Sequence, residues 1–158
     1  MVALTAPNWG GFCRTPPLTP ITLQCNRLFV CVAIVTNGKI LVQKRQVPNL
    51  SYSALHLPTT EPNAADGESL SLAAKRIAYE EFAVETETSL MRPVTFTDRY
   101  INGCLEVFTL YEVKKWRCKG GERSLDCIYL NPTAFPPHRF TSPHATLINQ
   151  LGQRWKLE

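Results

Sequence analysis

Residues 68–84 read ESLSLAAKRIAYEEFAV, and this stretch decides how the rest of the chain is interpreted. It is rich in strong helix formers and predicts an α-helix, for which Ser69 is a suitable N-cap. Positions three and four apart share a helix face, so Arg76, Glu80 and Glu81 come close together. We expect the two adjacent carboxylates to point at one volume, where they can hold magnesium. Such a pair is also common on a solvated helix face, so the spacing permits a metal–diphosphate site without requiring one.

Two hairpin patterns flank this helix. Asn37-Gly38 and Asn102-Gly103 each separate two strand-like runs, and Asn-Gly is a strong signal for a two-residue hairpin turn. The predicted strands cover residues 28–35, 39–45, 55–58, 94–101, 104–115 and 127–130, and a last helix begins at Ser142-Pro143. Each helix has an apolar stripe that a sheet face can cover. The pattern therefore predicts an α+β fold, an α/β/α sandwich in which helices flank a mixed sheet.

Residues 1–20 differ in composition from the rest of the chain. They are rich in Pro, Gly and Thr and show no apolar periodicity around Trp9 and Phe12. We expect an extended N-terminal arm that packs on the domain through these two aromatic side chains. Residues 21–158 are then expected to form a single domain, because the 158 residues of the chain are the ordinary size of one domain.

The overall charge and composition exclude several classes of function. Seventeen Lys and Arg against thirteen Asp and Glu give a net charge of +4, which favours anionic partners weakly and is not typical of specific nucleic-acid binding. No apolar run approaches the ~20 residues of a membrane-spanning helix. The six cysteines form no Cys-x-x-Cys pair, so we interpret them as reduced thiols. We expect a cytoplasmic protein that does not bind a membrane.

The wider pattern resembles a known motif. Glu68, Arg76, Ala78, Glu80-Glu81 and Val84 match, without a gap, the Nudix box G-x5-E-x7-R-E-U-x-E-E-x-G-U. The resemblance extends to Leu41-Val42-Gln43-Lys44-Arg45 and Leu57-Pro58 before the box and to residues 140–151 after it. It covers about residues 25–155 and implies the Nudix fold, with magnesium or manganese as cofactor, a small-molecule substrate that is anionic or partly apolar, and hydrolysis of a diphosphate linkage.

The sequence departs from the motif at four places. Ile77 replaces the glutamate that, in Nudix hydrolases, follows the box arginine and belongs to the metal-holding cluster. Thr59-Thr60 replaces Gly-Gly, and the loop before Glu68 is longer, with Pro62 at the position of the box glycine. Ala83 replaces the glycine that ends the helix. Because β-branched Thr resists the positive φ that Gly allows, we expect the loop to take another path.

The resemblance assigns roles to individual residues. Glu80 and Glu81 are the expected metal ligands and, with Glu68, the expected catalytic carboxylates; Arg76 is expected to orient Glu68 or Glu80 structurally. Glu61, Asp66 and Glu106 are candidate replacements for the carboxylate lost at Ile77, and Glu106 is included among the catalytic candidates. The predicted substrate-binding residues are Arg45, Thr59 and Ile77.

Three functions remain open. The first is magnesium-dependent hydrolysis of a nucleoside diphosphate-type or other organic diphosphate. The second is a metal-free isomerase or cyclase, in which Ile77 lines an apolar pocket that raises a carboxylate pKa; Cys104 is a weaker participant. The third is a non-catalytic ligand-binding domain. Specificity is expected in the loops at residues 46–53 and 119–124, and pairing of two chains through the arm is conceivable.

Overall fold

The computed structural model describes residues 26–46, 48, 54–119 and 126–158. The described strands are β1 (Arg27–Thr36), β2 (Lys39–Arg45), β3 (Ala54–His56), β4 (Thr59–Thr60), β5 (Val84–Glu85), β6 (Met91–Ile101), β7 (Cys104–Val113), β8 (Arg117–Cys118) and β9 (Cys127–Leu130); the described α-helices are α1 (Leu70–Phe82) and α2 (Ser142–Lys156). The predicted arm at residues 1–20 and most of the two predicted specificity loops lie outside these residues.

The main sheet is mixed, as predicted. Its strand order is β3-β2-β1-β7-β6, with β4 also pairing with β1 and β9 with β2. The β1–β7 pair is parallel, with Arg27 opposite Glu106 and Ile34 opposite Val113, whereas β1–β2 and β6–β7 are antiparallel hairpins. Strands β5 and β8 form a separate two-stranded ribbon.

The two predicted hairpin turns are present. Asn37 and Gly38 have φ angles of 49° and 72°, and Asn102 and Gly103 have φ angles of 52° and 76°. Two consecutive residues with positive φ match the right-handed twist of the strands that they connect, which is why Asn-Gly is favoured there.

Each face of the sheet carries one helix. Val30, Val32 and Ile34 of β1 pack against Ala74 and Phe82 of α1 in one core cluster. The alternate residues of β1 belong to the second cluster, with Leu147, Ile148 and Leu151 of α2. Alternation along a strand thus gives β1 two buried faces, and the α/β/α arrangement predicted from the sequence is confirmed. No helix within the described residues is both long and apolar enough to cross a membrane.

Helix α1 is shorter than the motif that predicted it. Ser69 is the N-cap and its hydroxyl accepts a hydrogen bond from the N–H of Leu72 at 3.2 Å, as expected. Glu68 therefore precedes the helix. At the other end Ala83 adopts the left-handed conformation, φ 52° and ψ 34°, and Val84 already belongs to β5.

The loop that contains Thr59 and Thr60 is extended. Both residues form β4, in which Thr60 is opposite Val30 and Thr59 opposite Cys31 of β1. Strand geometry suits β-branched side chains, which explains how this chain tolerates threonine where the motif has two glycines.

Candidate functional site

A guanidinium–carboxylate pair ties the loop before α1 to the helix. Arg76 donates from Nε to Oε2 of Glu68 at 2.9 Å and from Nη2 to Oε1 at 2.9 Å. The backbone N–H of Asn63 donates to the same Oε1 at 3.0 Å. The hydrogen bonds from Arg76, followed by that from Asn63, lower the pKa of Glu68 to about 2. Both oxygens of this ionised carboxylate are therefore engaged within the protein.

Glu80 and Glu81 contact different residues. The side chain of Glu80 is 50% exposed, and its Oε2 lies 3.5 Å from Nη1 of Arg76. Glu81 instead accepts a hydrogen bond from Nε2 of Gln43 on β2. The two carboxylates therefore have different partners, and their joint action on one metal ion stays a prediction.

Ile77 is a core residue. It is 5% exposed and belongs to the cluster that includes Val30, Leu41 and Phe82. It therefore exposes little surface to a substrate, and the binding role expected for it stays a prediction. The same burial means that the position where the motif has a carboxylate faces apolar side chains here.

The described carboxylates do not fit a dedicated magnesium site. Among the residues that the structure describes, no three His, Cys, Asp or Glu side chains form a group that could hold a metal ion. Two of the candidate replacements have other partners: Glu61 pairs with Arg27, and Asp66 accepts a hydrogen bond from Nδ2 of Asn63 at 2.6 Å. A magnesium ion prefers a near-octahedral set of oxygens, and two carboxylates, Glu80 and Glu81, do not complete such a set.

Glu106 lies in a different environment from the carboxylates of α1. It is 6% exposed, accepts a hydrogen bond from Nε of Arg99 at 2.7 Å and lies 3.5 Å from Nη1 of Arg27. Its strand neighbour Phe108 belongs to the cluster on the α2 side of the sheet. Residues two apart on a strand share a face, so Glu106 points to the α2 side and α1 packs on the other.

Both arginines around Glu106 lie over aromatic rings. The guanidinium carbon of Arg27 is 4.8 Å from the ring centre of Phe29, and that of Arg99 is 5.3 Å from the ring centre of Phe108. The two rings are themselves stacked, with centres 4.7 Å apart. This arrangement explains how a glutamate can be buried: its charge is compensated by two positioned guanidinium groups.

Thr59 belongs to a hydrogen-bonded network with a buried histidine. Its hydroxyl donates to the carbonyl of Leu57 at 2.9 Å and lies 3.4 Å from Nε2 of His144, while Nδ1 of His144 accepts from the N–H of Leu57 at 3.1 Å. Burial lowers the pKa of His144 to about 4, and it raises the pKa of the neighbouring Cys31 thiol to about 12. The hydroxyl of Thr59, which was expected to bind substrate, is therefore already engaged by Leu57 and His144 within the protein.

One cluster of polar side chains is not apparent from the sequence. His56 on β3 is opposite Gln43 on β2, and Gln43 donates to Glu81. Arg45 lies further along the same face of β2, is exposed and forms no ion pair with a described residue. We call Gln43, Arg45, His56 and Glu81 the Glu81 cluster. The signal that could have found it is the strand pairing of residues 43–45 with residues 54–56, which sequence spacing alone does not give.

The surroundings of His56 in the Glu81 cluster shift its pKa in opposite directions. Burial lowers the pKa of His56 most, and the charge of Arg45 lowers it further, whereas Glu81 raises it. The imidazole of His56 is therefore neutral at neutral pH and can accept a proton or a hydrogen bond. The cluster contains the groups that bind an anion (Arg45), accept a proton (His56) and accept hydrogen bonds (Glu81).

The fold is shared with solved structures, although no protein-family model and no curated protein sequence matches the chain. The solution structure of the E. coli ORF135 protein matches with a TM-score of 0.65 at 16% identity, covering 85% of this chain and 94% of that one. A MutT NUDIX hydrolase from Burkholderia pseudomallei matches at 0.62 and 19%, covering 80% and 98%. The NUDIX domain of Shewanella oneidensis NrtR, complexed with ADP ribose, matches at 0.59 and 18%, covering 86% and 92%. The chain therefore has the Nudix fold, as the motif in residues 68–84 predicted.

Proposed function

We propose that this chain binds a small organic diphosphate of the nucleoside diphosphate type at the Glu81 cluster, and that metal-dependent hydrolysis of the diphosphate is not its activity. The observation that carries the proposal is Arg45, an exposed guanidinium that is not neutralised by a described carboxylate and stands beside His56. Arginine presents several N–H donors that match two phosphate oxygens at once.

The comparisons support the class of ligand. The Nudix domain of the Shewanella protein holds ADP ribose, so this fold accommodates a nucleotide-type diphosphate. The net charge of +4 of the present chain also favours an anionic ligand.

The residues at the motif positions in and just before α1 are the argument against hydrolysis. Glu68 is hydrogen-bonded to Arg76, Glu80 pairs with Arg76 and Glu81 accepts from Gln43, and Ile77 is buried among apolar side chains. Diphosphate hydrolysis depends on electrostatic stabilisation of the displacement by positioned cations and carboxylates. The Glu81 cluster can bind an anion through Arg45 but lacks that set of positioned cations and carboxylates.

Calorimetric titration with ADP-ribose, compared with adenosine, tests the binding. We expect ADP-ribose to bind and adenosine not to bind, and Arg45→Ala to raise the Kd for ADP-ribose about tenfold through loss of a charge-assisted contact. Lys44→Ala is the matched control, because Lys44 is adjacent and exposed but points to the other face of β2. Equal weakening by both substitutions would reject Arg45 as the contact.

Turnover is measured on the same samples by release of AMP, with magnesium and with chelator. The proposal predicts no release above background in either condition. Magnesium-dependent release that disappears in Glu81→Gln would instead establish the hydrolase, and the binding-only proposal would be wrong.

A second candidate is acid–base catalysis without a metal, an isomerisation or cyclisation of the bound diphosphate. His56 favours it, since a half-buried imidazole with a lowered pKa next to Glu81 can act as a general base at neutral pH. Phosphorus NMR of the ligand in chelator would detect a new product. Its formation should be lost in His56→Gln and retained in His138→Gln, a histidine in the exposed turn before α2.

A further inference from the structure

An exposed aromatic surface lies on the hairpin formed by β6 and β7. Phe96 and Tyr100 are 67% and 70% exposed. Across the strands Tyr100 is opposite Leu105, Asp98 is opposite Val107, and Val107 is opposite Leu28 of β1, which is 40% exposed. Paired residues share a face of the sheet. We call the set the hairpin face: Leu28, Phe96, Asp98, Tyr100, Leu105 and Val107.

Helix α1 packs on the same side of the sheet as the hairpin face, but it covers only the ends of β6 and β7 that lie away from the Asn102-Gly103 turn. Met91, Tyr111 and Val113, at the far ends of the same two strands, are buried in the core cluster of α1. Helix α2 packs on the opposite side, where Thr95 hydrogen-bonds to Gln150. Towards the Asn102-Gly103 turn, no described helix lies over the hairpin face, and large apolar side chains there remain in water.

Asp98 gives the hairpin face a distinctive charge. It is exposed, it lies between Phe96 and Tyr100 on the same side of β6, and it forms no ion pair with a described residue. A partner for this surface should present apolar side chains together with one cation.

Residues 1–25, which lie outside the described part of the chain, have that chemistry. Arg14 is their only charged side chain, and they contain Trp9 and Phe12 but no carboxylate. In an extended segment Phe12 and Arg14, two positions apart, point to the same side. This spacing matches that of Phe96 and Asp98.

We infer that residues 9–14 dock on the hairpin face, with Arg14 paired to Asp98 and the two aromatic side chains of the arm against Phe96 and Tyr100. The tether is long enough, because the 16 residues from Phe12 to Leu28 can span up to ~50 Å and the face is only about 10 Å across its three strands. A second copy of the chain is disfavoured as occupant, since six side chains are far fewer than the roughly 20–30 residues a side of a stable interface. A tethered segment needs less contact because its effective concentration is in the millimolar range.

Tryptic cleavage after Arg14 tests the docking, because a docked segment must detach before it is cut. Release of residues 1–14 is followed by mass spectrometry, with a peptide of residues 1–25 as the undocked reference. We expect the native chain to be cut about tenfold more slowly than the peptide, and Phe96→Ser and Tyr100→Ser to remove most of this protection. Tyr129→Ser, an exposed tyrosine on β9, is the matched control and should leave it unchanged.

Charge reversal tests the pairing independently of protease access. Asp98→Lys and Arg14→Glu should each speed amide hydrogen exchange at residues 104–109, and the double variant should restore slow exchange. Equal cleavage of native chain, Phe96→Ser and peptide would overturn the proposal. A concentration-dependent dimer would also overturn the proposal if Phe96→Ser dissociated it without changing the rate of cleavage. That result would mean that the hairpin face binds a second copy of the chain.

Discussion

Arg76 and Glu68, eight positions apart, are joined by two hydrogen bonds of 2.9 Å that fasten the loop before α1 to the helix itself. Nη2 of Arg76 also donates to the carbonyl of Glu61 at 3.1 Å, so one guanidinium holds two points of the loop. The side chains of Arg76 and Glu68 are 33% and 15% exposed, which reduces screening of the pair by water. This contact positions β4 and the loop relative to the Glu81 cluster.

Replacing Arg76 by alanine is expected to lower the free energy of unfolding by roughly 1–3 kcal/mol, because the Glu68 carboxylate loses its charged partner while remaining half-buried. Urea unfolding followed by circular dichroism measures the change. Lys75→Ala is the control. Its ion pair with Glu87 is 3.7 Å long and exposed, and such a pair contributes less than about 1 kcal/mol. Similar losses in the two variants would contradict a special role for Arg76.

The pH dependence of stability should report on His144. Burial lowers its pKa from 6.5 to about 4, so the folded state binds a proton less readily than the unfolded state. Stability is therefore present in full above pH 6.5 and falls as the pH is lowered from 6.5 towards 4. Urea unfolding at half-unit steps through this window measures the slope.

The matched variants for that titration are His144→Asn and His138→Asn. Asparagine at position 144 can accept the hydrogen bond from the N–H of Leu57 without titrating, so the slope attributable to His144 should disappear. His138 is exposed, and its replacement should leave the slope as it is. A slope that persists in His144→Asn would assign the proton uptake to another group, of which His56 is the first to examine.

The fold was predictable because its determinants are local. Asn37-Gly38 and Asn102-Gly103 fix both hairpins through the φ angles that their turns require, and Ser69 marks the start of α1 by its capping hydrogen bond. These signals depend on residues within a few positions of each other. The mixed sheet between two helices is then the arrangement that buries the remaining apolar faces.

The site was less predictable because its contacts join distant segments. The direction of Glu81 depends on Gln43, 38 positions away, and the environment of Thr59 depends on His144, 85 positions away. His56 looks isolated in the sequence, since nothing in the spacing reveals its pairing with Gln43. A helical pattern predicts which residues share a face, whereas only the packed structure shows what each of them contacts.

Ala83 offers a direct test of backbone strain. Its left-handed conformation, φ 52°, costs a non-glycine residue roughly 1 kcal/mol. Ala83→Gly should therefore raise the free energy of unfolding by about 0.5–1 kcal/mol, the gain being limited by the greater freedom of glycine in the unfolded chain. Ala74→Gly, inside the same helix, should lower it by about 1 kcal/mol or more. Destabilisation by both substitutions in urea would mean that the Ala83 side chain contributes packing that exceeds its strain.

Ile77→Glu restores the residue type that the Nudix motif has at this position, and the structure predicts that it will not restore a metal site. The new carboxylate would enter the cluster formed by Val30, Leu41 and Phe82, so we expect the free energy of unfolding to fall by roughly 3 kcal/mol or more. Tyr79→Glu, two positions along α1 and 50% exposed, is the control and should change it by less than about 0.5 kcal/mol. An Ile77→Glu protein that kept native stability and released AMP from ADP-ribose with magnesium would show that the new glutamate reaches Glu80 and Glu81, and that this single position diverts the fold from hydrolysis.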